Sequence, residues 1–179
     1  MMTSDMGDLW VFGYGSLMWR PGFDAIEAMP AHLSGFHRAL CVHSFVHRGT
    51  RERSGLVLGL DRGGSCKGMA FRVEAKKREN VLAYLREREL VTNVYLEKSV
   101  GVVLKGGRKV KAVSYVVDRM HIQYAAGLSI DDAAQIVAGA SGVSGTNPDY
   151  VASTVQHLRQ MGIHDSLLEG IVSRLQLLG

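Results

Sequence analysis

The hydrophobic pattern of this chain turns helical for good near Leu128, and that change limits the folds open to it. In the first two thirds, apolar residues come in short, partly alternating runs cut by glycines. From Leu128 to the end they recur at helical spacing. Residues 9–13 form an apolar run that stops at Gly13-Tyr14-Gly15-Ser16. Residues 39–46, 56–60 and 67–73 read as further strands, with Gly63-Gly64 as a hairpin turn between the last two. Residues 94–104 and 110–117 flank Lys105-Gly106-Gly107-Arg108, which reads as a second hairpin. Short strands with tight turns predict an antiparallel or mixed sheet that can close into a small barrel.

Helical signals are interleaved with these strands. Residues 76–90 carry apolar positions at helical spacing. Ser129 and Asp132 make a capping pattern ahead of Ala133, Ala134 and Val137. Asn147-Pro148-Asp149 supplies a cap residue, a first-turn proline and an early acid, and predicts a helix running to Met161 and stopping at Gly162. A last helix is expected to bury Leu168, Ile171, Val172, Leu175 and Leu178. There is no repeat and no linker, so the expectation is one α+β domain over residues 1–179.

Composition narrows the function. A formal charge of +4 is spread over scattered lysines and arginines, and aromatics make up only 7%, so a nucleic-acid surface is not expected. A mild positive field suits a small anionic substrate. Cys41 and Cys66 show no metal-type spacing and fit reduced, buried thiols. His43 and His47 lack a third ligand nearby, so no metal site is expected. Residues 1–8 carry no basic leader, and no apolar run approaches the ~20 residues of a membrane span. A soluble cytoplasmic protein, with no membrane partner, is the expectation; the sequence leaves its oligomeric state open.

Two local features point to chemistry. The turn Tyr14-Gly15-Ser16-Leu17 follows an apolar strand, and its backbone N–H groups can converge on an anion; a plain strand-to-helix turn would look the same. It is neither a dinucleotide fingerprint nor a nucleophile elbow, since position 18 is Met18. Second, at about 100° per residue, Glu89 shares the stripe of Val81, Leu82 and Leu85, while Glu87 points to nearly the opposite side. A buried carboxylate titrates nearer neutrality, where it works as a proton shuttle. A helix ending before Glu89, or neutralisation by Arg88, is the alternative. Arg48 has the fork that reads a carboxylate, as a plain surface arginine also would. Tyr150 fits either a core or a pocket.

Read together, these segments carry a resemblance. The stretch from Trp10 through Phe23 (Trp-Val-Phe-Gly-Tyr-Gly-Ser-Leu-Met-Trp-Arg-Pro-Gly-Phe) closely resembles the opening signature of the ChaC family of γ-glutamylcyclotransferases. So do His47-Arg48-Gly49-Thr50, Tyr84-Leu85-Arg86-Glu87-Arg88-Glu89, and Ser141-Gly142 followed by Asn147 and Tyr150. The resemblance implies a γ-glutamylcyclotransferase-like small mixed β-barrel with surrounding helices. It also implies glutathione as substrate, cleaved without metal or cofactor to 5-oxoproline and Cys-Gly. It maps the family's catalytic glutamate onto Glu89 and its substrate loop onto Tyr14, Gly15, Ser16 and Leu17; Arg48 and Tyr150 join them as substrate-binding candidates. Two departures bear on substrate preference: Ser54-Gly55 stands where many relatives have proline-glycine, and residues 90–95 read Leu-Val-Thr-Asn-Val-Tyr where many have Gly-Gly-Tyr. A cyclotransferase for other γ-glutamyl amines, or a non-catalytic regulator of cation transport, are the rival expectations.

Overall fold

The computed structural model describes residues 7–179, so most of the polar opening stretch, residues 1–6, lies outside the described residues. The chain groups into two compact units: Met1–His37 with Arg62–Val116, and Arg38–Asp61 with Val117–Gly179.

The first unit is built on the barrel. The strands are β1 (Leu9–Gly13), β2 (Glu27–Ser44), β3 (Gly55–Val73), β4 (Tyr95–Leu104) and β5 (Lys109–Val117), closed in the order β1-β3-β2-β4-β5. β1 is buried along its whole length, which is why it reads as a continuous apolar run rather than an alternating one. It runs antiparallel to β3, from Leu9 opposite Val73 to Gly13 opposite Met69, and parallel to β5 at Val11 and Val113. β2 meets β4 antiparallel, Ala31 opposite Leu104. The barrel is therefore mixed and closed, as the strand pattern and the resemblance predict.

Two strands are longer than expected. Residues 56–60 and 67–73 belong to one strand, β3, and Gly63-Gly64 is no hairpin. Both glycines take positive φ, 97° and 66°, as a turn would. The backbone nonetheless stays in the ladder, and the Gly63 carbonyl accepts a hydrogen bond from the His37 ring on β2. The pair bends a continuing strand instead of reversing it. β2 begins at Glu27, well before residue 39, because its first half is held by pairing and not by an apolar pattern. The second hairpin is as expected: Gly106 and Gly107 take positive φ, and Leu104 N–H bonds Arg108 C=O at 2.7 Å.

A short helix, α1 (Ser16–Trp19), follows β1 directly. A 3₁₀ turn (Ala75–Lys77) leads into α2 (Arg78–Glu89). Val81, Leu82 and Leu85 of α2 pack with Leu9, Val11, Leu17, Phe71, Val73 and Tyr115 in one core cluster. That cluster brings the turn after β1 and the end of α2 onto the same patch of sheet. Gly68 is needed for the same reason. A methyl there would press on the Gly13 carbonyl and stand 2.7 Å from the Phe12 ring. Gly68→Ala is expected to cost about 2 kcal/mol by overpacking, which urea unfolding would check.

The second unit holds the far halves of β2 and β3 with α3 (Ile130–Ala138), α4 (Asn147–Gln160) and α5 (Ser166–Leu178), plus the two-residue strands β6 (Ser141–Gly142) and β7 (Gly145–Thr146). Ser129 caps α3 by accepting from Asp132 N–H, as predicted. Asn147 does not cap α4. Thr146 takes that role, accepting from Asp149 N–H, while Asn147 is already helical and wholly buried. Its amide instead pairs with the backbone of Leu56: Leu56 N–H donates to Oδ1 and Nδ2 donates to the Leu56 carbonyl, both at 2.8 Å. In α5, Leu168 and Ile171 are buried, but Leu178 is exposed and Val172 and Leu175 only half-buried, because the helix leaves its packing partners over its last turns. Cys41 and Cys66 are both buried and free, and burial, then the Asp61 charge, push the Cys41 thiol up to about 12. Among the described residues, no helix is long and apolar enough to cross a membrane.

Candidate active site

In the first unit, the residues singled out from sequence come together at the end of α2. Glu87 is exposed and Glu89 is turned inward, its side chain 18% accessible, as the helical phase predicts. Burial raises its carboxyl above the ordinary carboxylate range, and the Arg88 charge offsets part of that rise. Its one ion pair among the described residues is with Arg88 Nε at 3.6 Å, too long for a hydrogen bond. A carboxylate in that state is costly to hold and ready to take a proton.

The turn after β1 lies beside it. Arg88 Nη2 donates to Ser16 Oγ at 3.0 Å, so the residue next to Glu89 touches the Tyr14–Leu17 turn directly. Tyr14, Gly15 and Leu17 are buried and Ser16 is exposed. Met18 N–H closes onto Gly15 C=O at 2.9 Å and Arg20 N–H onto Ser16 C=O at 2.8 Å. The first N–H groups of any helix have no acceptor within that helix. Neither Gly13 nor Gly15 takes positive φ. Gly13 is required by space: a methyl would stand 3.0 Å from Leu17 Cβ.

Three further residues were not singled out from sequence. Arg86 holds the Glu97 carboxylate with two bonds, 2.8 and 2.9 Å, and Glu97 also accepts from the buried Tyr115 hydroxyl at 3.2 Å. Burial, then the Glu97 charge, raise the Tyr115 hydroxyl, and the Glu89 charge adds to the same effect, so this phenol stands within the field of Glu89. No local signal marks Tyr115 or Glu97, because what joins them to α2 is barrel closure.

Arg48 and Tyr150 belong to the second unit, where they lie against each other. The Arg48 guanidinium stands over the Tyr150 ring at 5.4 Å and donates to the Thr146 carbonyl at 3.2 Å. The Tyr150 hydroxyl accepts from Leu58 N–H at 3.0 Å. Arg48 is thus no loose surface arginine, and Tyr150 is anchored by its hydroxyl. Gly55 makes room here, since a Cβ would crowd both the Arg48 carbonyl and Asn147 Oδ1.

The closed mixed barrel with its surrounding helices is an architecture shared with a solved cyclotransferase. The structure of a γ-glutamyl cyclotransferase specific to glutathione from yeast superposes with a TM-score of 0.82 over 95% of this chain and 96% of that one, at 23% identity; this establishes the fold. The ChaC-like protein family model matches residues 9–177, and the chain belongs to that family. The glutathione-specific γ-glutamylcyclotransferase of Escherichia coli is 36% identical over 94% of this chain and 73% of its own length. That of Schizosaccharomyces pombe is 33% identical over 88% of this chain and 86% of its own.

Proposed function

We propose that this chain is a cytoplasmic γ-glutamylcyclotransferase that cleaves glutathione to 5-oxoproline and Cys-Gly, as a single domain, with Glu89 as general base and acid. The names and extent of the relatives support the substrate. The observation that carries the catalytic role is Glu89 itself: an inward carboxylate without a hydrogen-bonded counter-ion, its proton affinity raised by burial, beside the Tyr14–Leu17 turn.

The reaction suits these parts. The substrate's α-amine attacks its own γ-carbonyl carbon, so nucleophile and electrophile are tethered and little orientational entropy is left to lose. An α-ammonium group has a pKa of roughly 8, so it must give up a proton before it attacks. Glu89 accepts a proton from the attacking nitrogen and returns one to the departing cysteine nitrogen as the γ-amide bond breaks. Backbone N–H groups of the Tyr14–Leu17 turn would hold the oxyanion or the substrate's α-carboxylate. The tripeptide's glycine carboxylate asks for a forked donor of the arginine kind.

The test is direct: incubate glutathione with the protein and follow 5-oxoproline and Cys-Gly by mass spectrometry, with γ-glutamyl-alanine as comparison substrate. Glutathione is expected to turn over faster; a preference for γ-glutamyl-alanine would move the assignment to other γ-glutamyl substrates, and no product from either would end it. Glu87→Gln, altering an exposed side chain on the far side of α2, is expected to keep activity within about twofold, as surface changes usually do.

A further inference from the structure

One guanidinium at the end of α2 makes more contacts than a helix-terminal arginine needs. Arg88 Nη1 donates to the carbonyls of Arg20 at 2.7 Å and Pro21 at 3.1 Å and to the Tyr84 hydroxyl at 3.1 Å. Nη2 donates to Ser16 Oγ at 3.0 Å. The remaining nitrogen, Nε, faces Glu89 Oε1 at 3.6 Å. The side chain is 22% accessible, far less than a solvated arginine. Tyr84, which shares Nη1, is itself set against Gly22, where any Cβ would collide with its hydroxyl. The loop from Ser16 to Gly22 is therefore fastened to α2 through one residue and its neighbour one turn back.

We propose that Arg88 is a positioning residue: its fork locks the loop of Ser16, Arg20 and Pro21 to the end of α2 and at the same time presents positive charge to the Glu89 carboxylate. The inference rests on the assignment of Glu89 as base. Its two parts follow from the geometry of a planar five-donor group, which can bridge a loop and a carboxylate where a lysine ammonium cannot. Without the fork, the loop and the base lose their fixed separation, and a misplacement of about 1 Å near reacting groups can cost on the order of 10²-fold in rate. Without the charge, nothing opposes the effect of burial on Glu89. The other ionisable group whose field reaches it is Tyr115 on β5, neutral and bonded to Glu97 of β4, which Arg86 in turn holds. The proton would then bind Glu89 more tightly, and less of the enzyme would carry a competent base at neutral pH.

The test compares kcat and the pH profile of kcat/KM for 5-oxoproline release by the wild type, Arg88→Met, Arg88→Lys and Glu89→Gln. Arg88→Met is expected to lose on the order of 10²-fold in kcat and to move the acid limb of kcat/KM upward by about one pH unit, the usual effect of an opposite charge at this range. Arg88→Lys keeps the charge, so its acid limb stays within a few tenths of a unit of wild type, but it lacks the fork and is expected to lose at least about tenfold in kcat. If far-UV circular dichroism shows Arg88→Met unfolded, Arg88→Gln, which is neutral and still able to hydrogen-bond, takes its place. An unmoved acid limb in the neutral variant overturns the electrostatic part, and a wild-type kcat in Arg88→Lys overturns the fastening. Near-wild-type turnover by Glu89→Gln would instead sink the base assignment itself, whatever Arg88 does.

Discussion

Glu89→Gln is expected to lose on the order of 10²–10⁴ in kcat for 5-oxoproline release, the usual worth of a general acid–base group, while the protein remains folded. The glutamine is nearly isosteric and sits at the end of α2, whose anchoring residues Val81, Leu82 and Leu85 are unchanged. The same variant is expected to be more stable than wild type at neutral pH. The folded-state pKa of Glu89 is raised by burial, so between the unfolded and folded values the folded protein binds more protons. Stability therefore falls as pH rises through that window, and the penalty is complete above it. Glutamine carries no such penalty. Thermal melts should show Glu89→Gln above wild type near neutrality, with the gap closing as pH drops below the ordinary carboxylate range. A variant that is active, or one whose advantage grows toward acid, contradicts the assignment.

Asn147→Ala is expected to cost about 2–6 kcal/mol, since it leaves a buried backbone donor and a buried acceptor unpaired, each worth about 1–3 kcal/mol. The amide makes both bonds to Leu56 at 2.8 Å, at a position with no exposure to solvent. Asn147→Asp keeps the acceptor, loses the donor and brings in a charge, and should be no better than the alanine. Thr146→Ala, which removes the true cap of α4, is expected to cost only about 1 kcal/mol. Urea denaturation of the three variants would order them. Equal losses for Thr146→Ala and Asn147→Ala would mean that the Leu56 pairing contributes little beyond a cap.

What could be read from the chain alone was what depends on near neighbours. The helical phase of Glu89 follows from Leu82 and Leu85 within the same two turns, so its inward direction and the outward direction of Glu87 were legible. The Ser129 cap and the hairpin at Gly106-Gly107 were legible for the same reason. Gly63-Gly64 misled because positive φ at two glycines is common to a tight turn and to a bent strand; the ladder on either side decides which. Asn147 misled because its local pattern is that of a cap, whereas its partner, Leu56, is 91 residues away.

Local sequence thus determined the strands that are buried end to end, the helices with a capped start, and the side of α2 on which the acid lies. These follow from backbone periodicity and short-range hydrogen bonding, which act over a few residues. Tertiary structure alone decided that the Ser16–Pro21 loop is tied to Arg88, that Tyr115 and Glu97 stand near Glu89, and that Asn147 serves Leu56. Those pairings depend on closing the sheet and packing α2 against it, and burial by residues distant in the chain is also what raises the proton affinity of Glu89.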